Sequence, residues 1–102
     1  MQAEKILVPA PRGIPASMVE AYVRRCRTAL SDAEAALGRL DHNHLRVYGH
    51  GLKGSGAGYG IPRLTEMGSL IEQAAKRGDT AELQAQLGAM ELYLRRIEIV
   101  PG

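Results

Sequence analysis

The chain has 102 residues, of which 45% are hydrophobic and 24% are charged, and its formal net charge is +2. This length accommodates one domain with one core, and the hydrophobic fraction excludes a disordered chain. The net charge is only mildly positive, and its densest basic cluster is Arg24, Arg25 and Arg27, so a nucleic-acid-binding protein is disfavoured. No segment approaches the ~20 apolar residues of a membrane span.

Residues 1–14 contain Pro9 and Pro11, which predict a short extended N-terminal arm. The longest apolar run in this arm, residues 6–8, is too short for a secretory signal, so we expect a cytoplasmic protein. Residues 97–100 near the other end have the same β-prone composition, which allows the two ends to pair.

The first helix is predicted to begin between Pro15 and Ser17. Proline favours the first helical turn, and Ser17 followed by Glu20 is a capping-box pattern. Apolar residues then recur at steps of three and four to about residue 39, although Ser31 offers a second start signal and a break there. Cys26, the only cysteine, excludes an internal disulfide and a metal site built mainly from thiolates.

Three further helices follow. The second is predicted to begin after Asp41 and end at Gly60, and the third spans Pro62 to Arg77. The fourth begins after Asp79, with its apolar side at Leu83, Leu87, Met90, Leu94 and Ile97. We therefore predict an all-α fold, an antiparallel up-down four-helix bundle over residues 15–102 that follows the arm, and we expect it to be a monomer.

The segment 48–60 of the second helix holds six glycines in thirteen residues. Each glycine in a helix interior costs about 1 kcal/mol relative to alanine. Either close helix packing or a need for open space beside a reactive group must offset that cost.

Helical geometry places His50 of this segment on the solvent side. With Tyr48 at 0° and about 100° per residue, Leu52 falls near 40° and His50 near 200°, opposite the buried side. Lys53 and Gly54 fall at about 140° and 240°, one turn further along the exposed face. The histidine therefore has a cation one turn away, and no side chain stands at the i+4 position.

This arrangement suits phosphoryl transfer. An exposed imidazole with the ordinary pKa of about 6.5 is largely neutral at pH 7 and is therefore nucleophilic. Lys53 would attract the transferring group and stabilise its charge, and Gly54 leaves room for it. Such transfer depends more on positioning and charge neutralisation than on additional catalytic groups.

The sequence His50-Gly51-Leu52-Lys53-Gly54-Ser55 resembles the His-x-Leu-Lys-Gly-Ser signature of histidine phosphotransfer domains. The likeness continues through Gly60, Leu64 and residues 70–79, and in length and layout it covers roughly residues 15–97. This chain departs from the family in placing Gly49 and Gly51 on either side of the histidine.

The resemblance implies that His50 is the phosphorylated residue, that Lys53 assists transfer and that Gly54 gives access. Domains of this kind have no kinase activity and no cofactor of their own. They pass phosphoryl groups between the aspartates of receiver domains, in response regulators or hybrid histidine kinases, and the receiver holds the Mg²⁺. The sequence does not name the donor or the acceptor.

Three other readings are open from the residues alone. Gly49 to Gly54 fits the G-x-G-x-x-G pattern of dinucleotide-binding loops, with Glu72 about 20 residues on, but helical patterns surround it instead of βαβ units. His42 and His44 suggest a metal site, yet positions i and i+2 do not share a helix face and no third ligand is evident. The main alternative is a helical adaptor that docks a receiver or kinase without being phosphorylated.

Overall fold

The structure, a computed structural model, describes residues 4–102. Within this range the chain forms four helices and two short strands. In chain order these are β1 (Ile6–Pro9), α1 (Ala16–Gly38), α2 (His42–Ser55), α3 (Pro62–Arg77), α4 (Thr80–Arg96) and β2 (Ile97–Val100).

Helix α1 is continuous over 23 residues, so the break considered near Ser31 is absent. The helix begins one residue after Pro15, whose extended backbone provides the N-cap without a side-chain hydrogen bond. Ser17 therefore lies inside the first turn, and the capping box predicted with Glu20 does not form. Buried residues at helical spacing along α1 stabilise it more than a cap would.

Helix α2 ends earlier than predicted. It stops at Ser55, and a short 3-10 helix, Ala57–Tyr59, leads to Gly60, which adopts a left-handed backbone with φ of +80°. The Thr65 hydroxyl accepts a hydrogen bond of 2.8 Å from the Ala57 backbone N–H. The glycine-rich sequence stabilises a regular helix only weakly, because glycine has a low helix propensity, so such a contact is sufficient to end α2.

The other helix boundaries agree with the sequence prediction. Asp41 and Asp79 cap α2 and α4, and their carboxylates accept hydrogen bonds from the backbone N–H groups of His44 and Glu82. Gly78 ends α3 in the left-handed conformation with φ of +66°, which a side chain would strain.

The two strands pair in parallel, with Ile6 opposite Ile97 and Pro9 opposite Val100. The fold is thus mostly helical, as predicted. The predicted all-α class must be corrected, because the chain also forms a two-stranded sheet. Ile97, which continues the apolar pattern of α4, begins β2 because its backbone turns extended there. Val8 and Ile97 are both buried, so the sheet contributes to the core.

The core lies between the helices, with α2 against α3, and α4 against both α3 and α1. The largest fully buried side chains come from all four helices and from the residue before α3. They are Leu45, Ile61, Leu64, Met67, Ile71, Leu83, Met90, Leu94 and Val19. None of the helices in residues 4–102 is long and apolar enough to cross a membrane.

Candidate functional site

His50 stands on the exposed side of α2, as the helical geometry predicted. The buried residues of this helix are Leu45, Gly49 and Leu52, and they face the rest of the bundle. The His50 side chain retains 71% of its solvent exposure. A partner molecule can therefore reach the imidazole without any rearrangement of the helix.

Glu72 on α3 orients this imidazole. Its carboxylate Oε2 lies 2.9 Å from His50 Nδ1, while the Glu72 side chain is only 5% exposed. A carboxylate can only accept hydrogen bonds, so the shared proton belongs to Nδ1. In the neutral ring this tautomer leaves the lone pair on Nε2, at the far side of the imidazole.

Two lysines also surround the Glu72 carboxylate. Lys53 Nζ on α2 lies 3.4 Å from Oε1, and Lys76 Nζ on α3 lies 3.9 Å from Oε2. Two ammonium groups thus face one carboxylate, which leaves the site with an excess of positive charge beside the nucleophile. Such an excess favours an incoming phosphoryl group.

These neighbours also set the ionisation of Glu72. Burial disfavours the charged carboxylate, but hydrogen bonds from His50 and Lys53 and the charges of Lys53 and Lys76 outweigh it. Together they lower the pKa of Glu72 below its ordinary value, so the group is ionised at neutral pH.

Gly54 opens the exposed surface beside His50. A Cβ atom at this position would meet nothing within 4 Å among residues 4–102, and the same is true at Gly51 and Gly58. These three glycines are therefore not needed for packing against any residue that the structure describes. Open space one turn beyond His50 is what a partner's surface requires for close approach.

Gly49 and Gly56 of the segment serve close packing. Cβ atoms at Gly49 and Gly56 would lie 2.6 Å from the backbone nitrogens of Glu72 and Thr65 on α3. Both explanations offered for the glycine-rich sequence thus apply, each to different positions: the solvent side of α2 is left open, and its inner side contacts α3 directly.

Ser55, at the end of the signature sequence, has a packing role. Its hydroxyl donates a hydrogen bond of 2.9 Å to the Gly51 carbonyl and accepts one of 2.7 Å from the Tyr22 hydroxyl on α1. Tyr22 in turn stacks on Tyr59, with ring centroids 4.1 Å apart. These contacts join α1 to the end of α2.

The basic cluster on α1 divides between different surfaces. Arg27 donates hydrogen bonds of 2.7 and 3.3 Å to the Leu94 carbonyl at the end of α4. Arg25 lies over the Tyr22 ring, 5.9 Å from its centroid. Within residues 4–102, the ion-pair partners of the Glu72 carboxylate are His50, Lys53 and Lys76 and none of the three arginines, so the cluster does not form part of the site.

In the described residues, the dinucleotide-binding and metal-binding alternatives lack the arrangement that each requires. The Gly49–Gly54 segment lies wholly within α2, so it is not the strand-to-helix loop of a dinucleotide site. Across residues 4–102, no group of three or more His, Cys, Asp or Glu side chains is placed to hold a metal ion. His42 and His44 lie in the first turn of α2, away from the Glu72 cluster.

Sequence reasoning did not assign Glu72 and Lys76 to the site. The signal for Glu72 was its position: it follows Leu64 by eight residues and Ile71 by one, inside the buried stripe of α3. A carboxylate in such a stripe is rarely buried without a charged or hydrogen-bonded partner. Lys76 follows Glu72 by four residues on the same helix face.

Comparison with known proteins agrees with this geometry. Searches of curated proteins and of solved structures found no match. The family model of the Hpt domain, however, matches residues 17–99, which include all four helices almost entirely. Hpt domains are phosphocarrier modules that work with receiver domains and kinases in phosphorelays. With most of its length matched, and with an exposed histidine on the second helix, this chain belongs to the Hpt domain family.

Proposed function

We propose that the protein carries a phosphoryl group on His50 between the aspartates of partner receiver domains. One observation carries this proposal: a solvent-exposed imidazole whose Nδ1 is held by a buried carboxylate 2.9 Å away. The hydrogen bond fixes both the tautomer and the direction of the ring, and it turns Nε2 towards an incoming partner.

The transfer is an in-line displacement at phosphorus. The Nε2 lone pair of His50 attacks the phosphoryl group of an aspartyl phosphate on the donor receiver. An N–P bond forms, the P–O bond to the aspartate breaks, and the aspartate leaves as a carboxylate. The aspartate of a second receiver then attacks the phosphohistidine, and the N–P bond breaks in the same way.

The remaining site residues support this step through charge and space. Glu72 stabilises the positive charge that develops on the imidazole when Nε2 bonds to phosphorus. Lys53 and Lys76 offset the negative charge of the phosphoryl group, and Gly54 lets the receiver surface approach. The protein needs no cofactor of its own in this scheme, because the receiver holds the Mg²⁺.

The wider assignments rest on the family and on local geometry. We place the protein in the cytoplasm as a monomer that binds neither nucleic acid nor membrane. The turns between α1 and α2 and between α3 and α4 are short, which supports the antiparallel up-down order of the bundle. We keep the division into an arm at residues 1–14, of which residues 1–3 lie outside the described part of the structure, and a bundle at residues 15–102.

The experiment is phosphotransfer from a labelled receiver with Mg²⁺ to the wild type and to His50→Gln. We expect label on the wild type that is acid-labile and base-stable, as a phosphohistidine is, and no label on the variant. His44→Gln is the matched control, because it removes another histidine from the same helix and should retain the label.

An absence of label across a panel of receivers, with the protein folded, would contradict the proposal. Binding of those receivers without transfer would then favour the adaptor function. Label that survives in His50→Gln would show that another residue accepts the phosphoryl group.

A further inference from the structure

Two glycines face each other across the α2–α3 interface beside the site. A Cβ atom on Gly49 would lie 2.7 Å from the Gly68 carbonyl oxygen, and one on Gly68 would lie 2.7 Å from the Gly49 carbonyl oxygen. Cβ atoms do not approach other atoms closer than 3.0 Å in real proteins. At this level of the bundle, the two helices therefore touch backbone to backbone.

Each glycine also faces the backbone of a site residue. A Cβ on Gly49 would lie 2.6 Å from the Glu72 nitrogen and 3.1 Å from its Cα, and one on Gly68 would lie 2.5 Å from the Lys53 nitrogen. The clashing atoms are backbone atoms and, for Gly68, also the Leu52 Cβ at 2.7 Å, and none of them can rotate aside as the end of a side chain can. Any side chain here must therefore move α3 away from α2, and Glu72 with it.

We propose that Gly49 and Gly68 are positioning residues that hold the Glu72 carboxylate against the His50 imidazole. Glu72 reaches His50 from the neighbouring helix, so the 2.9 Å hydrogen bond depends directly on how closely the helices approach. The consequence for transfer rests on the proposed function, but the hydrogen bond itself is measurable without any partner.

The chain provides two matched controls. Gly51 flanks His50 on the other side, yet a Cβ there meets no atom of the described chain within 4 Å. Gly56 meets α3 as tightly as Gly49 does, with a Cβ 2.6 Å from the Thr65 nitrogen, but it lies seven residues further along the chain, just past the end of α2. Gly51→Ala thus tests proximity to His50 without a clash, and Gly56→Ala tests a clash away from the site.

The first measurement is the ¹⁵N chemical shift of both imidazole nitrogens of His50, at roughly pH 8.5, where imidazole is neutral. The wild type and the two control variants should show a protonated Nδ1 and an unprotonated Nε2. Gly49→Ala and Gly68→Ala should move both shifts towards the averaged values of a free imidazole.

The second measurement is phosphotransfer by the same variants with and without Glu72→Ala. Alone, Gly49→Ala and Gly68→Ala should slow transfer by about 10- to 100-fold, the cost of a misplacement near 1 Å. In the Glu72→Ala background they should slow it no further, because the group they position is gone. A role in packing alone would instead slow transfer by the same factor in both backgrounds.

Three results would overturn the inference: unchanged imidazole shifts in folded Gly49→Ala and Gly68→Ala, the same shift changes in Gly56→Ala, or additive losses of transfer with Glu72→Ala. If both glycine variants fail to fold, Glu72→Asp provides the test, because it withdraws the carboxylate by one methylene and leaves both glycines unchanged. Unchanged imidazole shifts in Glu72→Asp would overturn the inference equally. If the wild type accepts no phosphoryl group, the proposed function fails while the shifts still decide the positioning role.

Discussion

The Glu72 carboxylate lies 2.9 Å from Nδ1 of His50, although 22 residues separate them along the chain. The carboxylate is buried and the imidazole is exposed, so the contact crosses the boundary between the core and the surface. The bundle interior thereby controls the orientation of a surface nucleophile. Such a side chain acts on the reaction through His50 and does not need to touch the phosphoryl group.

Removing the Glu72 carboxylate should slow transfer without abolishing it. We expect Glu72→Ala to reduce the transfer rate by roughly 10- to 100-fold, the equivalent of one hydrogen bond to a charged group. Glu72→Gln should reduce the transfer rate less, because its amide oxygen still accepts the hydrogen bond from Nδ1. Some loss should remain, because the amide no longer neutralises Lys53 and Lys76. Single-turnover transfer from one labelled receiver measures both, and equal rates for Glu72→Ala and the wild type would contradict this prediction.

Glu72 should also contribute to acid sensitivity. Its pKa in the folded protein is lowered, whereas the unfolded chain has the ordinary value near 4.3. Its stabilisation is therefore fully present above that ordinary value and is lost as the pH falls through the lower folded-state pKa. Urea unfolding of the wild type and Glu72→Gln between pH 3 and 7 measures this, and Glu72→Gln should lose less stability on acidification. An identical loss in both proteins would contradict the assignment.

The helices could be predicted closely because their signals are local. The apolar spacing and the terminal signals, such as Asp79 before α4 and Gly78 after α3, lie within the residues that they define. The exposure of His50 followed from the same periodicity. Helical period and caps act over a few residues, so one sequence is sufficient to detect them.

The features that the sequence did not specify depend on contacts between distant residues. Helix α2 ends early at a contact between Ala57 and Thr65, and the sequence allowed the β1–β2 pairing without requiring it. Glu72 lies in the site because α2 packs against α3, and no sequence pattern within either helix specifies that contact. Local periodicity identifies the buried face of a helix but not the atoms that it meets.

The β1–β2 pair should contribute measurably to stability. Val8 is buried and Leu7 is 61% exposed, although they are neighbours in the same strand. Val8→Ala removes two buried methyl groups and should lower the free energy of unfolding by about 1–2 kcal/mol. Leu7→Ala, the control, should change it by less than about 0.5 kcal/mol. Urea denaturation provides both values, and equal effects would show that β1 is not held against the core.

Gly54 offers a test that separates access from stability. An alanine methyl group at this position meets nothing within 4 Å in the part of the chain that the structure describes, so Gly54→Ala should raise the free energy of unfolding by about 1 kcal/mol through helix propensity. The same methyl group projects from the exposed face one turn beyond His50, where the receiver must approach. We therefore expect a more stable protein that transfers more slowly. Gly51→Ala should gain similar stability with a smaller loss of transfer, because it lies about 100° around the helix from His50. If Gly54→Ala instead transferred at the wild-type rate, the open space beside His50 would have no role in partner approach, and the cost of this glycine to helix stability would need another explanation.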